Sequence, residues 1–156
     1  MSRRNISKKN FPIPDSNYGN LLVSLLIARI IKKGKKNLAQ KIIKNTFDII
    51  ETRTNSNSIK IFEKAVKNVT PIIEVKASRV GGSTYQVPIE VSGFRGTILS
   101  LKWILKAAKS RSGKTFALKL ANEVIDASNF LGGAIRKREE THKMAEANKA
   151  FSHFRY

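Results

Sequence analysis

The sequence predicts a mainly α fold: one domain spanning residues 1–156, a bundle of about six helices with one protruding two-stranded β-hairpin between the third and fourth. Apolar residues recur every three or four positions along most of the chain, as on the buried face of a helix. Over residues 72–91 the period changes to two, which is the period of a strand. Hydrophobic residues make up 41% of the chain, enough for one core and too many for a disordered chain.

The composition is strongly basic, with 30 Lys and Arg residues against 11 Asp and Glu and a net charge of +19. Self-repulsion of this size favours an anionic partner, of which nucleic acid comes first and a charged membrane surface second. No basic amphipathic helix stands apart as a membrane anchor, and the longest apolar stretch, residues 21–31, is too short to span a bilayer. We therefore expect a soluble protein that binds nucleic acid and has no membrane partner.

Residues 1–16 are predicted to form a basic extended arm that orders against phosphates, in preference to a frayed terminus. The arm has no acid before Asp15, and its cations are Arg3, Arg4, Lys8 and Lys9. Removing the arm should lower the affinity for nucleic acid and leave the helical fold intact.

Three helices are predicted before the hairpin. The first runs from a cap at Asn20 to about Lys33 and stops at Gly34, and the second covers about residues 37–53. The third starts at a cap formed by Ser58 and is closed by a proline. The turn between the first two helices holds more cations than one helix end requires, so we predict phosphate contacts for Lys32, Lys33, Lys35 and Lys36.

The β-ribbon of residues 72–91 alternates apolar and polar side chains on both strands, and Gly81-Gly82 supplies the positive φ of a tight turn. Pro88 cannot donate to the ladder, so its strand must keep one edge open. A lone two-stranded hairpin is only marginally stable in water. It therefore needs something to pack against it.

A flexible joint at residues 92–96 is predicted to lead into a fourth helix at about residues 97–111. One face of this helix carries a row of lysines at helical spacing with no acid among them: Lys102, Lys106 and Lys109. Like charges at this spacing destabilise a helix by roughly 0.2–0.5 kcal/mol per pair, so the row indicates a polyanion alongside. Trp103 lies next to the row and is assigned to the core in preference to stacking on a base.

A short basic turn from Arg111 to Lys114 precedes a fifth helix at about residues 115–128. The sixth helix is predicted over about residues 134–151, with an inward seam of Met144, Ala147 and Phe151. The tail alternates aromatic and basic residues, a pattern that suits either the edge of a core or unpaired bases.

The sequence indicates no catalytic or metal chemistry. With two histidines and no cysteine, the chain offers no catalytic triad, no thiolate site and no disulfide framework. Gly113-Lys114-Thr115 copies the end of a phosphate-binding loop, but the glycine required at position 108 is Ala and a helix precedes it. We predict a protein that is not an enzyme, with no cofactor, no metal and no small-molecule substrate.

Two segments carry a family resemblance: VGGSTYQVPIEV from Val80 to Val91, and RKREETHKMAEANKAF from Arg136 to Phe151. Both are similar to signatures of the small-subunit ribosomal protein S-seven family, of the bacterial and plastid type. The Gly34-Lys35-Lys36 turn and Lys102-Trp103 match as well, so the resemblance covers the whole chain.

The resemblance implies a structural constituent of the small ribosomal subunit that supports translation. It implies primary rRNA binding that nucleates assembly of the head, the 3′ major domain. The ribbon and the last helix would lie near the exit-site tRNA and the mRNA exit, with other small-subunit ribosomal proteins as neighbours. The Glu139-Glu140-Thr141-His142 version of the second motif, in a chain rich in Lys, Ile and Asn, looks like a plastid protein of the chloroplast stroma, with bacterial cytoplasm as the alternative.

The resemblance and the charge together extend the candidate RNA-binding residues to Lys76, Arg79, Tyr85, Gln86, Arg95, Arg111, Lys114, Arg136, Lys137, Arg138, Lys143, Lys149 and Arg155. We expect the helical body to anchor the base of the ribbon and RNA to cover part of its length. The chain departs from the family pattern at Ser78, where a second Arg is common, and at Phe130-Leu131, where a more polar loop is usual. The apolar pair is a candidate contact for a neighbouring protein.

Two other function classes fit the sequence less well. An architectural DNA-binding protein agrees with the charge and the helices but not with the two motifs. An RNA-processing enzyme would need an acid, base or metal constellation that the chain does not contain.

Overall fold

The fold follows from a computed structural model that describes residues 12–80 and 82–154. Over these residues the elements are α1 (Leu21–Ile30), α2 (Lys36–Thr54), α3 (Ser58–Val69), β1 (Ile73–Val80), β2 (Ser83–Glu90), α4 (Gly93–Ser110), α5 (Phe116–Ser128), α6 (Gly133–Ala147) and a C-terminal 3-10 helix (Lys149–Phe154). The predicted mainly α fold, with the hairpin between the third and fourth helices, is confirmed.

The core is built around α5, which packs against α2, α3 and α4. All but one of the largest fully buried apolar side chains come from α1 to α5: Val23, Leu26, Ile43, Ile50, Phe62, Val69, Leu101, Ile104, Leu120 and Val124. The exception is Val87 on β2. Trp103 packs, half-buried, against this cluster, as predicted. The positions of the basic side chains on the outer faces of these helices are therefore set by the core.

Helix α1 starts as predicted and ends earlier. The Asn20 side chain accepts a hydrogen bond from the Leu22 amide at 2.8 Å, which is the expected N-cap. The helix stops at Ile30, not at Lys33, because Ile31 turns to an extended ψ of 129° while still packing against the core. Lys33 then adopts a positive φ of 51°, so the chain reverses before α2 begins.

The cap of α3 is one residue earlier than predicted. Asn57 accepts from the Ile59 amide at 2.9 Å, whereas Ser58 is buried inside the first turn. The Ser58 hydroxyl donates instead to the Glu51 carboxylate at 2.7 Å. This hydroxyl ties the start of α3 to the end of α2.

The joint predicted at residues 92–96 is wrong, because α4 already begins at Gly93. Gly96 is buried within the first turns of the helix. A Cβ at this position would lie only 2.8 Å from the Thr70 side chain. Glycine is needed at position 96 so that α4 can approach the end of α3 closely. It does not serve as the flexible joint that the sequence predicts.

Helix α6 is shorter than predicted, and its inward seam differs. It ends at Ala147 and continues as the 3-10 helix. Ala145 is buried in place of the predicted Met144, whose side chain is 44% exposed, and of Ala147, which is also exposed. Met144 and Ala145 fit the apolar period of a helix nearly equally well, and packing against the helical body selects Ala145.

The hairpin is covered by the chain's own C-terminal segment. Its register runs from Ile73 opposite Glu90 to Val80 opposite Ser83. Helix α6 packs against β1, and the 3-10 helix packs against β2, where the Tyr85 and Phe151 rings lie 5.3 Å apart. This packing supplies the support that an isolated two-stranded hairpin lacks.

Two side-chain contacts join the base of the hairpin to the helices. The Ile72 amide donates to Nε2 of His142 on α6 at 3.2 Å, which requires a neutral imidazole acceptor. Burial lowers the pKa of His142, and the nearby charge of Arg138 lowers it further. Arg95 at the start of α4 donates to both carboxylate oxygens of Glu74 on β1, at 2.6 and 3.0 Å.

A buried carboxylate joins α5 to α6. The Glu123 side chain is fully buried and accepts from the Ala134 amide at 2.8 Å and from the Arg111 guanidinium. The same guanidinium donates to Asp126. Gly132, with a φ of 96°, passes so close that a Cβ would lie 2.9 Å from the Glu123 carboxylate. Glu123 thus fixes the turn before α5 and the N-terminus of α6.

We predict that Glu123→Ala destabilises the fold by about 3–5 kcal/mol, because it leaves the Arg111 charge with one partner fewer and the Ala134 amide with none in the interior. Chemical denaturation monitored by circular dichroism measures the change. The exposed Glu139 offers a matched control, since Glu139→Ala should shift stability by no more than about 0.5 kcal/mol. Equal effects of the two variants would contradict this role of Glu123.

We also predict a pH dependence of stability from His142. Its pKa is lower in the folded chain than its ordinary value of 6.5, so the unfolded chain binds the proton more readily. The contribution of neutral His142 to the free energy of unfolding is fully present above pH 6.5. It is lost as the pH falls toward the pKa of the folded chain. The free energy of unfolding of His142→Gln should depend less on pH over that window than that of the parent chain. Identical slopes would rule out this contribution.

Candidate nucleic-acid interface

The lysine row of α4 is exposed on the surface as the sequence predicts. Lys102, Lys106 and Lys109 are all exposed, and the helix contains no acidic residue. Together with Arg29 from the last turn of α1, the three lysines line a groove of about 360 Å³. Arg29 was not among the predicted residues, because it lies in a predominantly apolar helix. The sequence clue to Arg29 was its spacing, since it lies three residues before Lys32 and so on the same side of a helix.

The turn between α1 and α2 lies beside this row. Lys32, Lys33 and Lys35 line a second cavity together with Arg29 and Lys109. Lys36 lies next to Lys35 in a shallow cleft at the start of α2. Cations that are far apart in sequence therefore form one surface, which we call the basic face: Arg29, Lys32, Lys33, Lys35, Lys36, Lys102, Lys106 and Lys109.

The cations of the basic face have no acidic partner in the part of the chain that the structure describes. Within residues 12–80 and 82–154, none of its eight cations forms a salt bridge. Isolated surface cations are ordinarily interspersed with acids, and unrelieved like charge is unfavourable. The face is thus electrostatically complementary to a polyanion.

The candidate residues of the hairpin are divided between its two faces. Tyr85 is opposite Ser78 in the register and shares its face with Lys76, toward the C-terminal segment. Arg79 and Gln86 belong to the other face, and both are exposed. A single flat ligand would therefore meet one pair but not both.

Several predicted cations have partners inside the fold. Arg111 is held by Glu123 and Asp126: burial opposes its charge, but the hydrogen bonds and charges of the two carboxylates outweigh burial and raise its pKa. Arg95 pairs with Glu74. Arg138 donates to the Asn68 carbonyl, and Lys137 pairs with Glu140 at 2.9 Å. Arg111, Arg95 and Arg138 thus join separate parts of the fold, whereas the exposed pair of Lys137 and Glu140 lies within α6.

The remaining candidates are either exposed or outside the described residues. Arg136, Lys143 and Lys149 are exposed at the C-terminal end of the chain, and Lys114 is exposed in the turn before α5. Outside the described residues are Arg3, Arg4, Lys8, Lys9 and Arg155.

The segment that follows the first eleven residues lies on the helical body. The Ser24 hydroxyl donates to the Ile13 carbonyl at 2.7 Å. Asp15 is buried and accepts from the Gln40 side chain. Ile13 and Asp15 are therefore held beside α1 and α2, on the body that carries the basic face.

Neither a metal cluster nor a membrane-spanning helix is found in the described ranges. Among residues 12–80 and 82–154, no three His, Asp or Glu side chains come close enough together to hold a metal ion. In the same part of the chain, no helix is long and apolar enough to cross a membrane.

Comparison with known proteins agrees with the two sequence motifs. The family model "Ribosomal protein S7p/S5e" matches residues 2–149. The chain is 60% identical over 144 residues to small ribosomal subunit protein uS7c of Trieres chinensis, covering 92% of this chain and 91% of that protein. It is 54% identical over 156 residues to the uS7 proteins of Prochlorococcus marinus strains MIT 9211 and NATL1A, covering 100% of this chain and 100% of each of those proteins. The chain therefore belongs to the ribosomal protein S7p/S5e family, the structural constituents of the small ribosomal subunit.

Proposed function

We propose that this chain is a primary rRNA-binding protein that nucleates folding of the head, the 3′ major domain, during assembly of the small subunit. Family membership places it in the subunit, and the observation that carries the finer proposal is the basic face. Eight cations from α1, the turn after it, the first residue of α2 and α4 lie together without a salt bridge among the described residues. Such a surface can hold RNA segments that are distant in sequence.

Binding should rest largely on neutralisation of phosphates. If about 6–10 phosphate contacts form, affinity should fall on the order of 10³–10⁵-fold between 50 and 200 mM salt. The deep, narrow major groove of A-form RNA cannot be read by side chains, so specificity would come from the shape of a junction and its unpaired loops. An excess of duplex DNA should therefore displace structured rRNA poorly, and efficient displacement would favour an architectural DNA-binding role.

The hairpin and the C-terminal end are proposed to face the exit-site tRNA and the outgoing mRNA. Support comes from the exposed Arg79 and Gln86 on one face of the hairpin and from the exposed Lys143 and Lys149 of the segment that packs against it. Crosslinking in assembled particles, read out nucleotide by nucleotide, tests this placement. Crosslinks from Arg79 or Lys149 to head rRNA alone would overturn it.

We assign the chain no catalytic step, since its family consists of structural proteins. We also propose a plastid location. Identity to the uS7c protein of Trieres chinensis, 60%, exceeds the 54% identity to the uS7 proteins of Prochlorococcus marinus. Immunodetection of the protein in purified plastids of its source cells would support this location, and detection only outside them would contradict it.

We predict that replacing Lys102, Lys106 and Lys109 by Gln lowers affinity for the head rRNA and reduces the slope of its salt dependence by about 1 for each phosphate no longer neutralised. Helix α3 offers a matched control, because three exposed lysines at the same spacing lie outside the basic face: Lys60, Lys64 and Lys67. Filter binding over a salt series measures both triple variants. Equal reductions for both would show that net charge matters and the basic face does not.

We predict that removing residues 1–11 lowers rRNA affinity and leaves the thermal unfolding midpoint unchanged. The cut should end there, since Ile13 and Asp15 contact the body and removal of residues 1–16 would disturb α1 and α2. A full-length control in which Arg3, Arg4, Lys8 and Lys9 become Gln should show the same reduction in affinity. Tight binding by the truncated chain would refute a role for the arm.

A further inference from the structure

A cavity of about 490 Å³ opens in the middle of the basic face, where the end of α1, the start of α2, α4 and the start of α5 meet. Its walls are mainly apolar and are formed by Ile30, Leu38, Ala39, Ile42, Leu105 and Phe116. The volume falls within the roughly 300–1,000 Å³ typical of sites that enclose small organic groups.

Leu38 distinguishes this cavity from an incidental gap in the core. It is the third residue of α2 and is 54% exposed, while the adjacent Ala39 is 2% exposed and belongs to the core. A single exposed leucine is common on protein surfaces, but this one lines a concave site whose other walls are apolar as well. The site therefore offers apolar surface that residues 12–80 and 82–154 leave uncovered.

The rim of the same cavity is cationic. Five of its lining residues carry a positive charge, and no carboxylate lines it: Arg29, Lys32, Lys33, Lys35 and Lys109. None of the five is engaged in a salt bridge within the part of the chain that the structure describes. An occupant must combine a compact apolar body with anionic groups around it.

We propose that this cavity takes the base of one unpaired, unstacked RNA nucleotide, while the rim cations hold the phosphates on either side of it. This inference rests on the proposed rRNA binding and names the part of the RNA that the basic face selects. A base presents flat faces that stack on apolar or aromatic surfaces, and its backbone carries a phosphate at each end. The groove of Arg29, Lys102 and Lys106 continues the cation path along α4 for the adjoining phosphates.

The inference predicts an apolar contribution to RNA affinity that is separate from charge. Leu38→Ala should weaken binding of the head rRNA by about fivefold to tenfold, because it removes apolar surface that the base would cover. The salt dependence should stay unchanged, since every cation that meets a phosphate is still present. Leu131, 62% exposed in the loop before α6, gives a matched control: Leu131→Ala should bind like the parent chain.

A fluorescent probe tests the geometry directly. The adenine analogue 2-aminopurine is placed in turn at each unpaired purine of the head rRNA, and its emission is measured with and without protein. One unpaired position should respond to the parent chain and to Leu131→Ala, and respond less to Leu38→Ala. Full affinity of Leu38→Ala with no responding position would overturn the proposed pocket while leaving rRNA binding intact. Failure of the parent chain to bind head rRNA more tightly than duplex DNA would instead overturn the proposed function.

A second measurement tests whether a neighbouring protein, and not RNA, occupies the cavity. The sequence has no cysteine, so Leu38→Cys and Leu131→Cys each create a unique site for a photoreactive group. In assembled particles, a crosslink from position 38 to a single-stranded rRNA nucleotide supports the proposal. A crosslink from position 38 to a neighbouring protein, or to a base-paired nucleotide, contradicts it.

Discussion

The buried Glu123 carboxylate anchors the start of α6, where Ala134 and Ile135 also pack in the core. Taking the Glu123 charge out of water is costly, and the cost is offset only if the carboxylate keeps the Arg111 guanidinium and the Ala134 amide as partners. Those partners come from the turn before α5 and from the first turn of α6, so their placement follows from Glu123. Gly132 reflects the same requirement, because any side chain there would meet the carboxylate.

The hairpin is positioned in part by α6, besides the contact of Arg95 on α4 with Glu74. His142 accepts from the Ile72 amide at the base of the hairpin, and the 3-10 helix that extends α6 covers β2. A substitution at Glu123 that shifts α6 should therefore also shift the hairpin. A change at Glu123 should affect the basic face less, since that face is built on α1, α2 and α4, which the apolar core fixes directly.

Local signals in the sequence account for most of the fold. The Asn20 cap, the apolar periods of the helices and the change of period before Gly81 each depend on a few neighbouring residues, and all three indicate the structure correctly. The errors arise where tertiary packing decides. Ile31 leaves its helix and still packs on the core, and Gly96 allows a close helix crossing where a flexible joint was expected.

The candidate site was predictable as single residues and not as a surface. Charge and spacing single out the lysines of α4 and of the turn after α1, but their adjacency depends on how α1 and α4 pack. For the same reason Arg29 was missed, and Arg111 was interpreted only as a contact for RNA, because its partners Glu123 and Asp126 lie more than ten residues away.

The covering of the hairpin by the C-terminal segment has a consequence for the order of folding. A ribosome synthesises β1 and β2 before α6 and the 3-10 helix, and a two-stranded hairpin is marginal until both arrive. The helices that carry the basic face precede α6 in the chain, and α1 to α5 supply the main core. The nascent chain can therefore present a binding surface for RNA before its hairpin has a stable shape, and completion of synthesis becomes the event that erects the hairpin.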